Sequence, residues 1–307
     1  MDCFVPRNDK ITMQKTITHL EHPRQHHMVG DGFRVAQYIP GYGREMSGDT
    51  SPFLMLDYNA PWKIEPQDAG HRPGVGFHPH RGFETVTIVY SWEVEHEDTA
   101  WNGGTIWADE VQWMTAWSGL LHNEFMTAEF SRMGGVQHAV QLWINLPRKD
   151  KMTPPRYQAL TRESIPEVSF DGGKVRVIAG CVKITDTRWQ ILEQKWIAKT
   201  FSPVELYDIR FDKAWKIDLT FPEGYTTLAL VTEWNMSVNE KSLENGDMVY
   251  LSRDGNEMII ESDFLGKILI MAWAPLEEPV VAYGPFVMST QEEIMQAFTD
   301  LNAGKMG

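Results

Sequence analysis

The feature that most restricts the fold is a succession of short β-forming runs, each stopped by Gly, Pro, Asp or Asn. Phe53-Leu-Met-Leu-Asp57, Glu84-Thr-Val-Thr-Ile-Val-Tyr90, Val111-Gln-Trp-Met114 and Ala139-Val-Gln-Leu-Trp-Ile-Asn145 are of this kind. β-Branched and aromatic side chains suit a pleated, half-buried surface, and the turn residues keep every run short. The pattern resumes at Lys174–Ile178, Val204–Phe211, Thr226–Glu233, Asp247–Leu251, Glu257–Glu261 and Lys267–Ala272. Many short strands in series predict an all-β chain of sandwich or barrel type. The C-terminus departs from this. Ser289-Thr-Gln-Glu-Glu293 has capping-box spacing, and Ile294, Ala297, Phe298 and Leu301 recur at helical intervals, predicting a helix over about 291–302.

A length of 307 residues suffices for two domains. Residues 147–166, PRKDKMTPPRYQALTRESIP, are rich in proline and charge and read as the connection between them. The expected division is a leader over 1–27, a first barrel over 28–150, and a second barrel over 151–307 that carries the C-terminal helix. No apolar run approaches the roughly 20 residues of a membrane span, and the first dozen residues lack the apolar stretch of a secretory signal. A formal net charge of −14 repels phosphate backbones. Neither a membrane nor a nucleic acid is expected as a direct partner. Cys3 and Cys181 match no metal-binding spacing, so a reduced compartment is expected: cytoplasmic, or also nuclear in a eukaryote. A monomer is the expected state.

All ten histidines lie between His19 and His138. An imidazole-based site therefore belongs to the first half of the chain. His78 and His80 stand two residues apart in Gly76-Phe-His-Pro-His-Arg-Gly-Phe-Glu-Thr85, and alternate residues of a strand share a face. His122 and Glu124, in Leu121-His-Asn-Glu-Phe125, have the same spacing. Two such strands would turn four donors toward one point. Three imidazoles and a carboxylate suit a divalent first-row metal, with iron, nickel, copper, manganese and zinc all compatible. A structural zinc site more often uses thiolates. Each pair alone is a weak signal, and the two together are a stronger one.

Neighbouring residues admit plainer roles. Arg81 is placed to orient an anion or pair with a ligand carboxylate, and reads equally well as a salt bridge. Gln112, Trp113 and Met114 lie on a strand near the four donors, and packing in the core is the commoner fate of such a run. His96, Glu97 and Asp98 are consecutive, so a strand splits them between two faces; at most one would support the site. His26-His27 could bind adventitious metal and otherwise reads as a solvated loop, and Gly284-Pro-Phe-Val-Met288 reads as packing for the C-terminal tail.

Seven strings occur in order: PFLMLD (Pro52–Asp57), HPHRGFETVT (His78–Thr87), HED (His96–Asp98), QWMTA (Gln112–Ala116), LHNE (Leu121–Glu124), QLWINL (Gln141–Leu146) and GPFVM (Gly284–Met288). Together they resemble the pirin family over about residues 30–298. The resemblance implies a bicupin, two jelly-roll β-barrels in tandem, with iron (Fe2+/Fe3+) in the first barrel only. It implies His78, His80, His122 and Glu124 as the ligands. In the wider cupin pattern an acidic ligand follows the second histidine by four positions, where Glu84 stands. The pirin pattern leaves Glu84 supporting the site instead.

The implied activity is of the quercetin 2,3-dioxygenase type: a flavonol ring is opened with O2 at the metal and carbon monoxide is released, with Glu124 also relaying the substrate proton. The alternative is an iron- and redox-dependent regulatory protein that binds a transcription regulator or metabolic enzyme without turnover. The sequence departs from the family at Ala108-Asp109-Glu110, where many members carry Pro-Gly-Asp. It departs again at Trp117, which intrudes where members carry a glycine-rich stretch. That indole would reshape the mouth of the pocket and joins Arg81, Glu84 and Gln112 as a pocket candidate.

Overall fold

The computed structural model describes residues 13–306 apart from 24, 40–49, 69, 117, 187–190 and 196. Among them strands dominate, with two α-helices, α1 (Ala128–Met133) and α2 (Gln291–Asn302). The strands foreseen at 53–57, 84–90, 111–114 and 139–145 lie within Phe53–Ile64, Phe83–Ser91, Val111–Thr115 and Gly135–Asn145. Among the described residues no helix is long and apolar enough to cross a membrane.

The chain divides into two compact units: Arg24–Arg162 with Leu276–Gly307, and the stretch up to Pro23 with Glu163–Pro275. The first unit pairs a seven-stranded and a four-stranded antiparallel sheet in jelly-roll fashion. The large sheet runs Arg156–Leu160, Val111–Thr115, Phe83–Ser91, Gly135–Asn145, Phe53–Ile64, Phe33–Ile39, His27–Val29. The small sheet runs Gly74–His80, Leu120–Met126, Val94–Asp98, Gly103–Ile106. Phe83–Ser91 is buried almost throughout, which explains its run of β-branched residues without alternation.

The second unit repeats the two-sheet plan with seven and six strands. Its interior is filled by residues such as Val175, Val177, Ile209, Ile217, Ile260 and Ile268. Burial of this apolar surface stabilises the unit and leaves its centre with aliphatic groups in place of ligands. Both units are thus all-β jelly rolls of the cupin type.

Three segments fall elsewhere than the linear division expected. Ile17–Glu21, within the expected leader, pairs with Met248–Leu251 at an edge of the second unit's large sheet. Its apolar anchors, Ile17 and Leu20, are too few to reveal it by pattern. Arg156–Leu160, within the expected connection, pairs with Val111–Thr115 and extends the first unit.

The C-terminal segment, expected with the second barrel, groups with the first unit. The Arg81 amide donates to Pro285 O (3.3 Å) and the Val287 amide to Arg81 O (3.0 Å). Phe286, Met288, Ile294 and Ala297 form one apolar cluster beneath α2. Gly82 makes this approach possible. Its φ is +89°, and a Cβ there would sit 2.0 Å from Val287 O. The buried Lys151 ammonium spans the same place, donating to Gly82 O (2.7 Å), Asn145 Oδ1 (2.5 Å) and Val287 O (3.0 Å). Helix α2 starts with the capping box that its sequence announced: Thr290 Oγ1 accepts from the Glu293 amide (3.2 Å), and Glu293 Oε2 accepts from the Thr290 amide (3.1 Å).

Candidate metal centre

Strands Gly74–His80 and Leu120–Met126 run antiparallel, with His122 opposite His78 and Leu120 opposite His80. A register shift between His122 and Glu124 then sets Glu124 opposite Val75. Antiparallel neighbours share a face, so His78, His80 and His122 converge inside the first unit. Ring centroids lie 4.3 Å apart for His78 and His122, 4.8 Å for His78 and His80, and 5.0 Å for His80 and His122. One donor atom from each lies within 4.8 Å of the other two; among the described residues this is the one such cluster of metal-capable side chains. Glu124 stands outside that tight set. It lines the same cavity as His78 and His80.

The state of these groups suits ligation. His78 Nδ1 lies 2.9 Å from Gly76 O, and a carbonyl only accepts, so Nδ1 donates there and Nε2 is the nitrogen left for a metal. Burial, aided by the adjacent imidazoles, holds His80 and His122 well below the usual histidine pKa. Both rings therefore stay neutral, the form that binds a metal. His80 Nδ1 and both nitrogens of His122 are buried and meet no protein hydrogen-bond partner. Leaving such nitrogens unpaired is costly, and a metal ion would satisfy one on each ring. The residues present thus fit a metal ion. His80 is further steadied by the edges of Phe83 (5.2 Å) and Trp143 (5.1 Å).

Burial raises the Glu124 pKa, opposed by His78 and by Gln141, whose Nε2 donates to Glu124 Oε2 (3.2 Å). The cavity in front of these groups measures about 550 Å³, within the range of small-molecule sites. Phe33, Met55 and Trp143 give it apolar walls; Gln37, Asp57 and Gln141 give it polar ones.

The other sequence candidates go elsewhere. Arg81 is buried but faces α2: its Nη1 donates to Asp300 Oδ2 (2.9 Å) and its Nε to Ser118 O (2.7 Å). Glu84 accepts from Thr115 Oγ1 (2.6 Å). Its neighbour Thr85 is in register with the cavity residue Trp143, so Glu84 occupies the opposite face. Burial pushes its carboxyl up to about 7. Gln112 is in register with Thr87 on the inner face, away from the cavity, and both amide atoms lack a protein partner. Trp117 lies outside the described residues. His96 is in register with Glu124 and stacks on Tyr157 (5.1 Å), while Asp98 caps the following turn through the Ala100 and Asn102 amides.

Sequence reasoning missed His27, Gln37, Asp57 and Gln141. His27 belongs to a strand and lines the cavity. Gly284 and Pro285, read as packing alone, line it too.

Comparison with known proteins agrees with this architecture. The Pirin family model matches residues 32–144, and the model of the pirin C-terminal cupin domain matches residues 206–307. A Pseudomonas aeruginosa protein named as a candidate quercetin 2,3-dioxygenase is 41% identical over 281 residues, covering 91% of this chain and 94% of its own. The crystal structure of a quercetin 2,3-dioxygenase from Acinetobacter baumannii superposes with a TM-score of 0.87 at 44% identity, over 96% of this chain and 99% of that one. A nickel(II)-bound bacterial pirin of Escherichia coli shares the fold, with a TM-score of 0.61 and 21% identity over 84% and 100% of the two chains. The matched residues span both jelly rolls, and on these grounds the chain belongs to the pirin family.

Proposed function

We propose that the protein is a metal-dependent dioxygenase that opens the ring of a flavonol-like substrate, with His78, His80, His122 and Glu124 as ligands of one ion. The observation that carries this reading is the convergence of three imidazoles, His80 and His122 buried and His78 half-buried, beside a cavity that His78, His80 and Glu124 line and that is large enough for a three-ring aromatic. The similarity to named quercetin 2,3-dioxygenases favours the same substrate class. Iron is the proposed metal. Nickel, copper, manganese and zinc suit the same donors, and nickel occupies the Escherichia coli pirin.

A bound ion would supply Lewis acidity toward a substrate hydroxyl and a meeting point for the flavonol and O2. The chain's own groups do the rest. Glu124, in an environment that raises its proton affinity, takes the substrate's hydroxyl proton. Gln141 holds the Glu124 carboxylate in place. Trp143 and Met55 shed water from the aromatic faces.

The test is aerobic incubation of iron-loaded protein with quercetin, following loss of flavonol absorbance and release of carbon monoxide. Turnover that disappears in the double variant His78→Ala/His80→Ala supports the reading. A loaded wild-type protein that leaves quercetin intact overturns it.

A further inference from the structure

The large sheet of the first unit carries a polar row across five strands, one residue per strand and all in register. Thr87 pairs with Gln112, Gln141 with Thr87, Asp57 with Gln141, and Gln37 with Asp57. Register partners present side chains to the same face, so the row crosses the interior at one level. Its middle member, Gln141, stands beside the metal centre, where its Nε2 reaches Glu124, and Asp57 and Gln37 follow on the two strands beyond it. Neighbouring strands lie about 4.8 Å apart, which places Asp57 roughly 5 Å and Gln37 roughly 10 Å beyond Gln141.

Asp57, Gln37 and Gln141 all line the cavity. Gln37 Nε2 donates to Asp57 Oδ1 at 3.2 Å, the one side-chain hydrogen bond to Asp57 among the described residues. The next register row, Met55 with Trp143, is apolar and also lines the cavity. A flat aromatic lying against Met55 and Trp143 would thus meet the Asp57 carboxyl group at its far edge. A buried carboxyl beside an apolar wall is costly unless something repays its desolvation. Packing alone gives no reason for an acid directly after the apolar run Phe53-Leu-Met-Leu56 that opens the strand.

We propose that Asp57, oriented by Gln37, is the specificity residue that accepts a hydrogen bond from a phenolic hydroxyl on the substrate ring remote from the metal. The inference rests on the flavonol reading of the site, and it deepens it. The preferred substrates are flavonols hydroxylated on the pendant ring. Hydrogen-bonding sites discriminate well against an analogue lacking the hydroxyl, because that analogue leaves the buried acceptor unpaired.

The test measures binding without turnover. Iron-loaded protein is titrated anaerobically with galangin, kaempferol and quercetin, which carry none, one and two hydroxyls on the pendant ring, following tryptophan fluorescence. The wild type is expected to bind quercetin about tenfold more tightly than galangin. Asp57→Leu brings that ratio to about one, Asp57→Asn leaves it intermediate, and Gln37→Leu lowers it. A ratio near one in the wild type overturns the proposal, as does a ratio unchanged in Asp57→Leu or, should that variant fail to fold, in both Asp57→Asn and Gln37→Leu. Discrimination that depends on Asp57 in a protein that turns over no flavonol supports the binding assignment and defeats only the dioxygenase reading.

Discussion

Gln141 Nε2 stands 3.2 Å from Oε2 and 3.5 Å from Oε1 of Glu124, so a single amide group faces both oxygens of the proposed carboxylate ligand. The same nitrogen lies 3.4 Å from Thr87 Oγ1. Glu124 is nearly fully buried, and this contact limits how its carboxylate can turn. Supporting contacts of this type are worth about 10–100-fold in metal affinity. Gln141→Leu is expected to weaken metal binding by about tenfold, with the fold retained. Competition against a chromophoric chelator measures it, and an unchanged affinity would remove Gln141 from the account.

Arg81 and Asp300 are 219 residues apart and form an ion pair at 2.9 Å, with Arg81 buried and Asp300 partly exposed. Asp300→Asn leaves a buried guanidinium without its counter-charge. Breaking buried pairs costs about 3–5 kcal/mol, and the exposure of Asp300 reduces this to about 2 kcal/mol. Urea denaturation is expected to show that loss. A variant as stable as the wild type would show the pair to be energetically idle.

Glu205, in the second unit, accepts hydrogen bonds from the Tyr207 hydroxyl and from the Cys181 amide (2.7 Å). Burial nonetheless pushes its carboxyl up to about 7, against an ordinary value of 4.5. The folded state then holds a proton that the unfolded chain has lost. Stability falls as pH rises from about 4.5 through about 7 and levels off above, with the penalty absent below the unfolded value. One proton corresponds to a slope of about 1.4 kcal/mol per pH unit. Glu205→Gln is expected to flatten the curve by up to that amount, as urea midpoints at pH 5, 6 and 7 would show. Parallel curves for the two proteins would contradict the assignment.

Sequence carried the local features well. Val204–Phe211 and Thr226–Glu233 are read residue for residue from their β-branched runs, and α2 from its cap and its apolar spacing. The two His-x-His/Glu pairs were legible because strand period alone puts alternate side chains on one face. Features that depend on register were not legible. Asp57, Gln141 and Gln37 are three unremarkable polar residues until strand pairing aligns them. Helix α1 escaped notice because six residues offer too little periodicity, although its cap, Thr127 Oγ1 accepting from the Phe130 amide, is present. Grouping of 276–307 with the first unit depends on Gly82, Lys151 and Arg81, whose contacts are distant in sequence.

The central claim is that His78, His80, His122 and Glu124 hold one ion. Elemental analysis of the wild type and His122→Ala, both purified without added metal, tests it most directly. The account predicts close to one transition-metal ion per chain in the wild type and its loss from the folded variant. A wild type without stoichiometric metal even after loading, or a His122→Ala protein that keeps its ion, would contradict it.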